Sequence, residues 1–215
     1  MINYPILTKE LLFPDIFQVD EYGVLAIGGD LSTKRLLLAY KTGVFPWYNE
    51  GEPIVWYSPD QRMVLFPNEI HISKSMRKVL RDKQFRITHN TNFEFVINAC
   101  KNSNRNGQEG TWITDEMHQA YINLHHLGYA KSIEIWQGDK IVGGLYGVTI
   151  GNVFCGESMF SLVSNASKVA FIALAQMHYD FIDCQVYNEH LASLGAREIS
   201  KKEYITLLKK AIKTD

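Results

Sequence analysis

Three features of the pattern predict an α+β fold for this 215-residue chain. Capped segments carry helical periodicity, the period drops to that of strands across residues 132–156, and helical spacing then resumes. The length suits one large domain, or a large one with a small companion, at about 100–200 residues per domain. Hydrophobic residues make up 46% and charged residues 21%, enough apolar material for a packed core.

The elements follow in order. Ser32 to Lys41 predicts a helix, with Gly43 just past its end as the cap. Val44, Phe45, Pro46, Trp47 and Tyr48 lead into a stretch rich in Pro, Gly and aromatics up to Pro59. This predicts a loop-rich small domain over residues 1–60 ahead of a main domain over residues 61–215. Ser73 to Lys83 predicts a second helix. Its Lys74, Arg77, Lys78 and Arg81 recur at i, i+3, i+4 and i+7, which puts them on one face opposite Met76, Val79 and Leu80. Thr114 caps a helix to Leu127, closed by Gly128, with Met117, Ala120, Tyr121 and Leu124 on its apolar side. Ser132–Trp136, Ile141–Val148 and Val153–Gly156 predict an antiparallel meander turned at Gly138-Asp139 and Gly151-Asn152. Ser164 or Asn165 opens a helix to about His178, and Phe181 to Val186 predicts a strand. Ser200 with Glu203 forms a capping box for a closing helix whose apolar face is Tyr204, Leu207, Leu208 and Ala211.

Composition narrows the function. No run approaches the ~18 apolar residues of a membrane span, and Met1 to Glu10 lacks the basic start and apolar run of a signal peptide. Three widely spaced cysteines, Cys100, Cys155 and Cys184, suggest a reducing cytosol rather than a disulfide framework. The seven histidines show no HExxH pairing, so no metal is expected. The net charge of −1 argues against bulk nucleic-acid coating, but residues 61–88 hold seven Lys and Arg against Glu69 and Asp82. The stripe at Lys74, Arg77, Lys78 and Arg81 is either a solvated face or a phosphate-binding one.

Two carboxylates stand in apolar strands. Strand alternation puts Asp183 and Gln185 on one face, about 6.6–6.8 Å apart along the chain, with Ile182, Cys184 and Val186 on the other. An Asp there needs partners; a hydrogen bond to neighbouring backbone and a part in catalysis are both open. Glu157 closes the third strand of the meander, as a surface turn acid, a charge at a helix start or a site group. Phe154, Met159, Phe160 and Phe171 are core residues that also suit an apolar pocket. A thiol nucleophile from Cys155 or Cys184 with His190 lacks a third orienting group.

Ten segments in series from residue 23 to residue 196 resemble the leucyl/phenylalanyl-tRNA–protein transferase family. They are GVLAIGGDLS from Gly23, GVFPW from Gly43, WYSPDQR from Trp56, HISKSM from His71, EGTWIT from Glu109, VGGLYGV from Val142, FCGESMFS from Phe154, NASK from Asn165, IDCQV from Ile182 and ASLGA from Ala192. The resemblance implies a small N-terminal domain followed by an acetyltransferase-like (GNAT-type) domain. It implies transfer of Leu, Phe and less often Met from aminoacyl-tRNA to proteins that begin with Arg or Lys, marking them for degradation. No cofactor is expected, since the tRNA ester supplies the driving force, and a cytoplasmic monomer is expected. It places Asp183, Gln185 and Glu157 at the reaction centre. Trp47 and Trp112 are implied at the tRNA terminus or acceptor site, and Leu145, Met159 and Leu174 in the amino-acid pocket. The basic stripe would hold acceptor-stem phosphates. Two rivals remain. One is an acetyl-CoA-dependent N-acetyltransferase, although residues 157–168 lack the glycines of a pyrophosphate loop. The other is a non-catalytic tRNA-binding module, which leaves Asp183 and Gln185 unexplained.

Overall fold

Short polar side chains open the helices by accepting backbone N–H groups that have no partner in the first turn. The computed structural model describes residues 4–103 and 113–213. In it, Ser32, Ser73, Thr114 and Ser200 accept from the N–H groups of Arg35, Met76, Met117 and Glu203. The elements run β1 (Ile6–Leu7), β2 (Val24–Gly28), α1 (Thr33–Thr42), β3 (Phe45–Pro46), β4 (Val55–Tyr57), β5 (Gln61–Leu65), α2 (Lys74–Arg81), β6 (Arg86–His89), α3 (Phe93–Lys101) and α4 (Asp115–His126). They continue with β7 (Ala130–Gln137), β8 (Lys140–Ile150), β9 (Val153–Ser161), α5 (Ala166–Ala175), β10 (Phe181–Gln185), α6 (Glu189–Ala192), β11 (Arg197–Ser200) and α7 (Lys201–Ile212).

A small sheet in the order β1-β2-β4-β3 is built from the segment before Pro59 that reads as loop-rich. Its strands are two to five residues long, too short to set up a period in the sequence. The larger sheet has the order β11-β5-β10-β9-β8-β7-β6. The expected meander is its centre, since β7, β8 and β9 pair antiparallel. Strand β10 lies parallel to β9 and antiparallel to β5. The flanking strands were not foreseen: four of the five residues of β5 are buried, which erases alternation, and β6 and β11 are short edges.

Neighbouring residues of β8 point to opposite sides. Leu145 joins a core layer formed with α5, and Tyr146 joins a layer formed with α1, α3, α4, α7 and the small sheet. Strand β9 runs five residues beyond the expected Gly156, and α5 stops at Ala175 rather than near His178. At the end of α1, Gly43 takes φ +82, and a Cβ there would lie 2.6 Å from the Ile205 side chain. Glycine thus lets α1 close against α7.

Candidate active site

The site forms where two parallel strands part. Pairing between β9 and β10 runs from Val153–Phe181 to Cys155–Asp183, after which β9 continues alongside β8 alone. A bulge between Asp183 and Gln185 bends β10 away, and Gln185 takes φ +65. This corrects the alternation expected from the sequence: Asp183 and Gln185 do not simply share a strand face. They are joined through the backbone, the Gln185 N–H donating to Asp183 Oδ1 at 2.9 Å. Across the fork, Gln185 Nε2 donates to Glu157 Oε1 at 2.8 Å.

Glu157 is not a turn or end-of-strand acid. It lies inside β9, 9% exposed. The Tyr40 hydroxyl donates to its Oε1 and the Tyr121 hydroxyl to its Oε2, each at 2.8 Å. Burial pushes its carboxyl up to about 8, against the opposing pull of the two tyrosine hydrogen bonds. Asp183 is fully buried. Arg62 grips it bidentately, Nε to Oδ1 at 2.8 Å and Nη2 to Oδ2 at 2.7 Å, and the Tyr204 hydroxyl donates to Oδ2 at 2.8 Å. Burial by itself would lower the Arg62 pKa, yet Asp183 holds it above its ordinary value. The two carboxylates therefore differ. Four hydrogen bonds occupy the four lone-pair positions of Asp183, whereas Glu157 accepts three and keeps one open.

A cavity of about 600 Å³ opens at the fork. Glu157, Asp183 and Gln185 form its polar wall, and Trp47, Leu145, Met159 and Leu174 lie on the rest of its lining. Seven of the site residues expected from sequence thus meet around one cavity. Lys74, Arg77, Lys78 and Arg81 are exposed along α2, while Met76 is buried beneath them, and none of the four lines the cavity. Trp112 lies outside the described residues. Cys184 and His190 line the cavity, but the Cys184 thiol points to the Ile182 carbonyl at 3.8 Å and burial pushes the thiols of Cys155 and Cys184 up, which removes the thiolate reading.

Over residues 64–209 the chain matches the family model described as leucyl/phenylalanyl-tRNA protein transferase. The chain belongs to the leucyl/phenylalanyl-tRNA protein transferase family. Residues 29–60 match the N-terminal domain of this family. A leucyl/phenylalanyl-tRNA–protein transferase of Flavobacterium johnsoniae is 60% identical over 207 residues, 94% of this chain and 98% of its own. That of Flavobacterium psychrophilum is 58% identical over 208 residues, 95% of this chain and 99% of its own. The Syntrophus aciditrophicus enzyme is 52% identical over 211 residues, 96% of this chain and 88% of its own. Among solved structures, a functionally unknown conserved protein of Staphylococcus epidermidis aligns at a TM-score of 0.43 and 8% identity over 82% of this chain and 68% of its own.

In this transferase, sequence reasoning missed the groups that hold the carboxylates: Tyr40, Arg62, Tyr121 and Tyr204. A signal existed for three of them. Tyr121 and Tyr204 stand on otherwise aliphatic helix faces, where a buried hydroxyl needs a partner. Arg62 precedes the apolar run Met63, Val64, Leu65, where a buried guanidinium needs a carboxylate.

Proposed function

We propose that this transferase moves leucine or phenylalanine, and less readily methionine, from aminoacyl-tRNA to the α-amino group of proteins that begin with Arg or Lys. Such transfer would mark the acceptor for degradation, in the cytoplasm, by a monomer. Residues 1–60 would form a small N-terminal domain and residues 61–215 an acetyltransferase-like one. Support for that division comes from the small sheet ending at Tyr57 and the large one beginning at Gln61. The observation that carries the proposal is the cavity at the β9–β10 fork, apolar on most sides and polar at Glu157 and Gln185.

The aminoacyl ester is already activated, so catalysis consists largely of placing a neutral amine against its carbonyl. Leu145, Met159 and Leu174 would receive the apolar side chain, and Trp47 the tRNA terminus. Gln185 gives its N–H₂ to Glu157, and its Oε1 has no partner among the described residues. That oxygen would accept a hydrogen bond from the incoming amine. Burial pushes the Glu157 carboxyl up to about 8, so near neutral pH a minor fraction is ionised; in that fraction Glu157 has one open lone pair and would take up the proton the amine loses. The C–N bond forms, the ester C–O bond breaks, and the departing ribose oxygen takes the proton that Glu157 received from the amine. Asp183 has no lone pair left to act as a base and would serve by position. The α2 stripe would hold acceptor-stem phosphates by charge alone.

The test is transfer of labelled leucine from leucyl-tRNA to an Arg-starting peptide without ATP or coenzyme A. Label enters the peptide, and replacing its first residue by Gly abolishes transfer. With charged tRNA and folded protein, failure to label sinks the proposal. Asp183→Ala is expected to lower transfer by about 10²-fold, the scale of a misplaced reacting group, with leucyl-tRNA binding retained.

A further inference from the structure

Gln185 carries a backbone conformation that side-chain-bearing residues seldom adopt, φ +65 at a bulge. Such a conformation persists only where its surroundings impose it. The visible restraint is the hydrogen bond from the Gln185 N–H to Asp183 Oδ1. That acceptor is itself held. Arg62 Nε donates to the same Oδ1, and Arg62 Nη2 and the Tyr204 hydroxyl fix Oδ2.

Arg62 in turn is held against two aromatic rings. Its guanidinium lies 4.5 Å from the ring centre of Phe45 and 4.7 Å from that of Tyr204. Its Nη1 donates to the carbonyl of Gly43 at 3.4 Å. Phe45 belongs to the small sheet, Gly43 to the cap of α1, Tyr204 to α7 and Arg62 to β5. Three elements thus converge on a guanidinium carried by a fourth, and the guanidinium bears on a single carboxylate.

We propose that Arg62, backed by Tyr204, is a positioning residue for the transfer reaction: by gripping Asp183 it holds the Gln185 N–H and so aims the Gln185 amide at Glu157 and the cavity. Arg62 touches no substrate and acts only through Asp183. The inference rests on the proposed role of Gln185 in orienting the amine. A lysine cannot reproduce it, since a single ammonium lacks the fork that meets both carboxylate oxygens.

The experiment is a double-mutant cycle on the full chain with Arg62→Lys, Asp183→Asn and the double variant, measured as steady-state transfer from leucyl-tRNA to an Arg-starting peptide. Arg62→Lys is expected to lower kcat about tenfold or more, with KM for leucyl-tRNA within about twofold, the pattern of a group that matters only during reaction. The double variant is expected to be no slower than the slower single variant, because both changes release the same restraint. Wild-type kcat in folded Arg62→Lys, an effect confined to KM, or losses that multiply in the double variant would each overturn the inference. An unimpaired Asp183→Asn variant would instead overturn the reading of the site on which it rests. If Arg62→Lys does not fold, Tyr204→Phe carries the test. A fall in kcat of about threefold or more that vanishes in the Asp183→Asn background supports the role, and an unchanged kcat overturns it.

Discussion

Glu157 and Asp183 show how neighbours assign different work to the same functional group. Asp183 meets a guanidinium, a phenol and a backbone N–H, which together fill its acceptor positions. Glu157 meets two phenols and an amide, none of them charged, so burial governs it and pushes its carboxyl up to about 8 from an ordinary value of 4.5. Between those two values the folded protein holds a proton that the unfolded chain has released. Stability must therefore fall as pH rises through this window, with a contribution of at most about 1.4 kcal/mol per pH unit. Glu157→Gln removes the titrating group. Chemical denaturation at pH 5, 7 and 9 is expected to show the wild type losing stability relative to this variant as pH rises. Parallel pH dependence of the two proteins would mean that Glu157 is ionised throughout.

Helix α2 gives the cavity no residue. Its apolar residues Met76, Val79 and Leu80 pack onto the α5 side of the large sheet, which leaves the basic stripe outward. Only Arg81 of the four forms an ion pair among the described residues, and that to Asp82 is long, at 3.8 Å, and exposed. Such pairs contribute little, so the stripe's positive charge stays available to a polyanion. Replacing Lys74, Arg77, Lys78 and Arg81 by Gln is expected to raise KM for leucyl-tRNA and to flatten the dependence of binding on salt, by about one unit of log–log slope for each phosphate no longer neutralised. Transfer at saturating tRNA should stay near wild type. An unchanged salt slope would return the stripe to the role of a solvated surface.

At the scale of the whole molecule, the small sheet is bound into the machinery it precedes. Trp56, Phe45 and Leu36 lie in one continuous core with Val64, Phe181 and Tyr204. Tyr40 of α1 reaches Glu157, Phe45 stacks on Arg62, and the buried Lys201 of α7 donates to the Ile16 carbonyl at 2.8 Å. Units that share a core unfold together. Thermal melts followed by near-UV circular dichroism and by intrinsic fluorescence are expected to superimpose in one transition. A chain of residues 61–215 alone should lose both cooperative unfolding and transfer. Two separate transitions in the full chain would show that the small sheet is an independent body.

Local patterns carried much of this. Caps at Ser32, Ser73, Thr114 and Ser200, the glycine turns of the meander, and the apolar strand around Asp183 are properties of a few adjacent residues, so they are legible without any fold. The family and the expected pocket residues came from motifs strung along the chain. The partners of the two carboxylates did not. Tyr40 lies 117 residues from Glu157 and Arg62 lies 121 from Asp183, and no spacing rule links positions so far apart. The strand alternation at Asp183 failed for a related reason: the bulge at Gln185 depends on β9 and β5 pairing unequally with β10 on its two sides. Sequence by itself determined five of the seven helices among the described residues, the meander and the candidate residues, because neighbours in the chain decide capping and period, whereas α3 and α6 were not read from it. Only the tertiary structure decided which carboxylate is saturated and which is open, because that depends on donors brought in from elements remote in sequence.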